Sequence, residues 1–289
     1  MFGIKKYWRW YTIAGITIAV ILVWRAFLSL EAHQGKLFLH VFDIGQGDAI
    51  FIEAPNGSQV LIDGGPSNVV LAKLGETMPF WDRSIDLVVL THPHVDHITG
   101  LLDVLKRYRV GMVLESGVNY STAEYGEWHT LLEQKHIPVA IAERGDVVHL
   151  ARGVDLDILA PFESFVSKSP KNVHDATVVT RLSFASSTAL LMGDAEEKIE
   201  YQFLASGDDL HADILKVGHH GSKTSSTDFF LEAVRPRFAV ISAGRKNRYG
   251  HPTQEVLDRL RAFGISIQRT DQDGDVAYVS DGREFQLEK

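Results

Sequence analysis

The sequence predicts an α/β protein in which two sheets pack face to face under helices, a four-layer α/β/β/α sandwich. Two observations predict it. Strand hairpins are mixed with strand–helix units, and the same style recurs in a second half of the chain. A chain of 289 residues that is 45% hydrophobic and 23% charged can also bury a full core without staples. It has no cysteine, which excludes disulfides and leaves only nitrogen and oxygen donors for any metal.

The elements follow in order. Residues 37–42, 49–53 and 59–62 read as short strands, with Pro55-Asn56-Gly57 as the turn between the last two. Residues 85–90 form an apolar strand, 97–108 a helix, 111–114 a strand and 124–136 a helix. In the second half, strands at 154–159, 176–184 and 188–192 precede a helix at 195–204. A strand at 214–217, a helix at 226–234 and a strand at 238–241 come next. A helix at 253–263 and strands at 266–268, 276–279 and 284–287 close the chain.

Residues 1–35 differ from this body, which runs from 36 to 289 as one domain without a linker or repeat. Lys5, Lys6 and Arg9 precede an uncharged run over residues 10–24, Arg25 interrupts it, and residues 26–30 are apolar again. The expected structure is one transmembrane helix, with Arg25 snorkelling and Trp8, Trp10 and Trp24 near the interfaces. A cleaved signal peptide would share the basic start, but Leu30-Glu31-Ala32 puts an acid where a small-x-small site is needed. The basic flank predicts a single-pass cell-membrane protein with its body outside the cytoplasm. The formal charge is −8; Lys5, Lys6, Arg9 and Arg25 against Glu31 contribute +3, leaving −11 for the body. Such a body lacks the general basic footprint of a nucleic-acid binder.

Chemistry concentrates in Thr91-His92-Pro93-His94-Val95-Asp96-His97, directly after an apolar strand. Three imidazoles and a carboxylate at a strand's carboxyl end are the donor types of a borderline divalent ion. A solvated polar loop would not require matching groups elsewhere, and the chain supplies them. Asp194 ends the apolar run Leu190-Leu191-Met192-Gly193, as a bridging ligand or as a helix N-cap. His219 and His220 follow another strand; adjacent histidines do not easily ligate one ion, so one is the expected ligand and the other contacts ligand or substrate. The donors outnumber one tetrahedral set, which implies two metals.

The motif His92-x-His94-x-Asp96-His97, with Asp63, Asp194 and the His219-His220 pair, resembles the metallo-β-lactamase-fold hydrolase superfamily. Three further stretches sharpen it: residues 42–49 (Phe-Asp-Ile-Gly-Gln-Gly-Asp-Ala), 215–222 (Leu-Lys-Val-Gly-His-His-Gly-Ser) and Ser242-Ala243-Gly244 to Tyr249-Gly250-His251-Pro252. These look like the hydrolase domain of ComEC-type DNA-uptake proteins, over residues 37–286. The resemblance implies a four-layer αβ/βα metallo-β-lactamase sandwich with two divalent ions, zinc or manganese, and a bridging hydroxide. His92 and His94 would hold the first ion, Asp96, His97 and His219 or His220 the second, Asp194 would bridge, and Asp63 would orient a motif histidine. His174 departs from the subgroup, where asparagine is usual; it either completes a three-histidine set or takes over the asparagine's hydrogen bonds.

The implied reaction is phosphodiester hydrolysis by water acidified between two ions. Asp194, His219 and His251 are the candidate catalytic groups, His251 as general acid or phosphate contact. Lys223, Arg245, Lys246 and Arg248 are candidate contacts to neighbouring phosphates. The leading expectation is a membrane-anchored DNA nuclease of a DNA-uptake system. The alternatives are a hydrolase of another extracytoplasmic phosphoester or lactam, and a membrane component without catalysis.

Overall fold

The computed structural model describes Trp8, residues 10–21, Trp24 and residues 35–288. Strands β1 (Leu37–Val41), β2 (Ile50–Glu53), β3 (Gln59–Ile62), β4 (Ser84–Leu90), β5 (Arg109–Glu115) and β6 (Val139–Ile141) form most of one sheet. The second sheet holds β7 (Val147–Ala151), β8 (Val154–Ala160), β9 (Val179–Phe184), β10 (Ser187–Leu191), β11 (Ile214–Lys216), β12 (Phe238–Ile241) and β13 (Ser266–Arg269). β14 (Val276–Ser280) and β15 (Phe285–Leu287) return to the first sheet, whose order is β15-β14-β1-β2-β3-β4-β5-β6. The second runs β13-β12-β11-β10-β9-β8-β7.

Alternation within the strands separates the layers. Val60, Ile62, Leu87 and Val89 face inward and pack with Leu156, Leu182, Leu191 and Val240 of the other sheet. Leu61, Val88 and Leu90 point the opposite way, onto helices α1 (Val69–Thr77), α2 (Val95–Arg107) and α3 (Ala123–Gln134), where Leu101, Leu105 and the fully buried Trp128 meet them. On the other side Leu190 and Leu215 pack under α4 (Glu197–Ser206), α5 (Asp228–Val234) and α6 (Gln254–Ala262) through Phe203, Phe230 and Leu260. A short α7 (Thr270–Asp273) precedes β14. Three apolar layers thus separate four structural ones, as the sequence predicts.

Several boundaries differ from expectation, and three of them bear on function. Helix α2 starts at Val95, with His94 extended as its N-cap, so Asp96 joins His97 in the first turn. Helix α4 starts at Glu197 with Glu196 rather than Asp194 at the N-cap position, which frees Asp194 from the capping alternative. Residues 176–178 are not strand, because a 3-10 turn over Val173–Ala176 carries His174 toward the site. α1, β6, β7 and α7 were not expected; each is short, and α1 buries only Val70 and Leu74 on its inner face.

Most of the charged flank of the expected anchor, including Lys5, Lys6, Arg9, Arg25 and Glu31, lies outside the described residues. Residues 10–21 are helical and exposed, and among the described residues no helix is long and apolar enough to cross a membrane.

Helix α2 presses directly on the loop after β3. Gly64 N donates to His97 O (2.8 Å) and Gly100 N to Gly65 O (2.9 Å). A Cβ on Gly100 would lie 1.9 Å from Gly64 O. Gly100→Ala is therefore expected to cost about 1–3 kcal/mol through overpacking, read as a lower midpoint in chemical denaturation.

Candidate metal centre

Strands β1 and β3, each antiparallel to β2, run parallel to β4 and β5, so their carboxyl ends share one edge. β10, β11 and β12 are likewise mutually parallel. The loops leaving these ends bring Asp63, residues 91–97, Asp194, residues 218–221 and His251 together, although they come from both sheets.

Two sets of donors form there. In the first, His94 Nδ1 lies 3.0 Å from His92 Nε2 and 3.2 Å from His174 Nε2. Asp194 Oδ2 completes it at 3.5 Å from His92 Nε2 and 3.7 Å from His174 Nε2. In the second, Asp194 Oδ1 is 3.4 Å from His97 Nε2 and 3.5 Å from His220 Nε2, which is itself 3.5 Å from Asp96 Oδ2. Nitrogen and oxygen ligands at about 2.0–2.1 Å from a tetrahedral ion stand roughly 3.3–3.4 Å apart, so both sets have the spacing of coordination spheres. His97 Nε2, His220 Nε2 and Asp194 Oδ1 are buried and lack any hydrogen-bond partner among the described residues. Buried polar atoms left so are costly unless something binds them, and a cation fits all three.

The tautomers agree with this. Asp63 accepts from Thr91 N (2.9 Å), Thr91 Oγ1 (2.6 Å) and His97 Nδ1 (2.7 Å), leaving His97 Nε2 to face the cluster. Because the Thr91 hydroxyl proton goes to Asp63, its oxygen can accept from His92 Nδ1 at 3.1 Å, and His92 Nε2 keeps its lone pair. Asp63 pays for this placement with a left-handed backbone, φ 58.

The structure separates the adjacent histidines. Both have positive φ, 46 for His219 and 54 for His220, strain of about 1–3 kcal/mol each, and their ring centroids stand 6.2 Å apart on different partners. His220 is buried in the second donor set, while His219 Nδ1 donates to Glu196 Oε1 at 3.2 Å and its Nε2 stays 3.9 Å from Asp194. Glu196 also accepts from Thr224 Oγ1 (2.8 Å) and Asn172 Nδ2 (2.7 Å), and lies 3.7 Å from His174 Nδ1.

Three residues of this architecture escape sequence reasoning. Glu196 looks like an ordinary acid at a helix start. Lys216 is fully buried and donates to Asp48 Oδ2 at 2.8 Å, while Asp48 Oδ1 sits 3.4 Å from His220 Nδ1. A lysine inside the apolar run Ile214-Leu215-Lys216-Val217 is the one local signal of it in the sequence. Asp48 also donates its backbone N–H to Asp96 O, and Gly47 leaves no room for a Cβ there.

Of the candidate phosphate contacts, Lys246 and Arg248 line a groove of about 730 Å³ beside the centre, with Gln46, His94, Asp96 and Tyr249. Arg245 is turned away, its Nε donating to Asp271 O at 3.0 Å, and Lys223 is exposed outside the groove lining. His251 lines the smaller cavity over the donors, its ring 5.5 Å from that of His219. Burial, then the neighbouring His219 and His220, lower its pKa, so at neutral pH it is an uncharged hydrogen-bonding group rather than a ready acid.

Charge divides the two donor sets. Burial and the ring of His174 hold His94 down to about 4, and burial and His97 hold His92 well below its ordinary value. In His97 and His220 burial is outweighed by carboxylates: Asp194 and Asp63 raise His97, and Asp194 and Asp48 raise His220 to about 9. Without metal, then, the second set holds protons at pH 7 that ligation must displace. Divalent-ion binding is expected to release protons and to tighten as pH rises toward 9, measured by calorimetry in buffers of different ionisation enthalpy. Asp63→Ala should weaken binding about 10–100-fold by freeing the His97 ring.

Residues 42–245 match the family described as the metallo-beta-lactamase superfamily. The chain is 33% identical over 258 residues to ComE operon protein 3 of Bacillus subtilis (strain 168), covering 82% of this chain and 32% of that protein. It is 32% identical over 249 residues to competence protein ComA of Neisseria gonorrhoeae, covering 83% and 32%. It thus spans about a third of the length of these relatives. Its fold is similar to that of the metallo-beta-lactamase fold protein YhfI from Bacillus subtilis, with a TM-score of 0.52 at 13% identity over 84% of this chain and 99% of the other. The chain belongs to the metallo-β-lactamase superfamily of metal-dependent hydrolases and is related to ComEC-type competence proteins.

Proposed function

We propose that this chain is a membrane-anchored two-metal phosphodiesterase that cleaves DNA outside the cytoplasm. The observation that carries the reading is the pair of donor sets sharing the carboxylate of Asp194, one oxygen to each, beside a groove lined by Lys246 and Arg248. His92, His94 and His174 would hold one ion, Asp96, His97 and His220 the other, with zinc and manganese both suited to these donors. When bound, the two ions would supply an acidified water and neutralise charge on a phosphoryl oxygen.

The remaining groups belong to substrate handling. Lys246 and Arg248 are exposed at the groove wall and can hold phosphates on either side of the scissile one. Arg248 lies over the ring of Tyr249, 5.5 Å from its centroid, which offers a base a flat surface. His251 and His219 face the cavity as hydrogen-bonding groups to phosphoryl oxygens, His219 steadied by Glu196. Kinship to a protein named for competence supports the expected place in DNA uptake, and the apolar run after Lys5, Lys6 and Arg9 supports the anchor.

The acidic body favours one second reading, a small extracytoplasmic phosphoester as substrate, because its net charge of −11 repels a long polyanion outside the groove. A substrate panel separates the two. The full chain loaded with zinc or manganese is expected to cut single-stranded DNA, and chelation to abolish cutting. Lys246→Ala with Arg248→Ala should raise KM for DNA and reduce its dependence on salt by about two phosphate contacts, leaving a small phosphodiester unaffected. Activity confined to small phosphodiesters would overturn the DNA assignment.

A further inference from the structure

The amino-terminal ends of β1, β3, β4 and β5 lie at the pole opposite the metal centre, and this pole has a composition unlike the rest of the chain. Arg83, Lys106, Arg107, Arg109 and Lys135 line one cleft there, all five exposed. Among the described residues only Lys106 of the five is ion-paired, with Glu127. Two residues before Arg83, the loop after α1 holds Phe80 and Trp81 outward, 79% and 62% exposed, with rings edge to face at 4.9 Å.

Local structure accounts for part of this. Lys106 and Arg107 end α2 and Lys135 caps α3, where cations offset the helix dipole. Arg83 and Arg109 stand at strand starts, where no dipole calls for them, and helix ends do not require two exposed aromatic rings. Of the acids nearby, Glu127 pairs with Lys106, while Asp82 accepts from Ser84 and Gln59 and Asp86 from the Gln59 backbone, bonds to neutral donors that orient these two carboxylates without cancelling their charge. In a chain of net charge −8, a cluster of five cations beside a protruding aromatic pair is a local reversal.

We propose that this pole is a docking surface for an anionic lipid bilayer, with Phe80 and Trp81 entering the interface and the five cations meeting the headgroups. Aromatic rings settle at the headgroup level, and basic residues near an anionic surface add attraction that decays within a Debye length. The fold supplies an independent reason. Strand β1 begins at this same pole with Leu37, so the chain enters the body there from the apolar stretch at residues 10–30. The docked body holds its metal centre away from the membrane, open to a substrate arriving from the aqueous side. This orientation rests on the proposed anchor; the lipid contact does not require it.

The absence of cysteine makes single-site labelling direct. The full chain carrying Phe80→Cys, or Lys171→Cys on the loop before His174, is labelled with an environment-sensitive fluorophore and mixed with phosphatidylcholine vesicles with or without phosphatidylglycerol. Expected are a blue shift and quenching by lipid-borne quenchers at position 80 in anionic vesicles, with position 171 remaining water-exposed. Arg83→Glu with Arg109→Glu should lower quenching at position 80 by about fivefold or more, since each basic residue contributes a factor of that size. A water-exposed position 80 in anionic vesicles, equal quenching at both positions, or insensitivity to charge reversal would overturn the docking surface. Flotation with pure phosphatidylcholine vesicles reports the anchor separately: such flotation together with a water-exposed position 80 in anionic vesicles leaves the anchor standing without the docking surface.

Discussion

Everything at the functional pole depends on one carboxylate serving two clusters. Asp194 leaves β10 in the second sheet, yet two of its four nearest imidazoles in the donor sets come from the first sheet's side, His92 on the loop after β4 and His97 in the first turn of α2, while His174 and His220 come from loops of its own sheet. The sandwich must place loops from two sheets within a few ångströms for this to happen. Its stability is the scaffold's contribution to the chemistry. The cost is visible in buried unpaired nitrogens, left-handed backbone at Asp63, His219 and His220, and a buried Lys216–Asp48 ion pair whose desolvation offsets much of its attraction. Such features gather where function requires them.

Much of this was legible in the sequence for identifiable reasons. The 91–97 run declares itself because three histidines after an apolar strand have no packing role, and strand alternation with turn signals such as Pro55-Asn56-Gly57 is local. What was hidden depends on the partner segment. Nothing local tells His219 from His220; the choice comes from backbone φ and from Asp48, 172 residues away from His220, beside it in space. Glu196 takes its role from Asn172, Thr224 and two histidines that the sheet brings round. Arg245 and Arg248 look alike in sequence, but one turns to Asp271 and the other to the groove.

The charge distribution joins the two poles into one picture. A net negative chain works against indiscriminate polyanion binding, and against that background cations gather at two places among the described residues, Lys246 and Arg248 at the groove and the five-cation cleft at the far end. Parallel strands make this separation natural, because their carboxyl-end loops build the site while their amino ends are free for another purpose.

The most direct measurement is the metal content of the purified full chain beside that of Asp194→Ala, with folding of both checked by circular dichroism. Two divalent ions per wild-type chain, and weakened retention of both in a folded Asp194→Ala variant, are predicted by a carboxylate that gives one oxygen to each donor set. A wild-type chain that takes a single ion, or a variant that retains both with unchanged affinity, would contradict the shared centre.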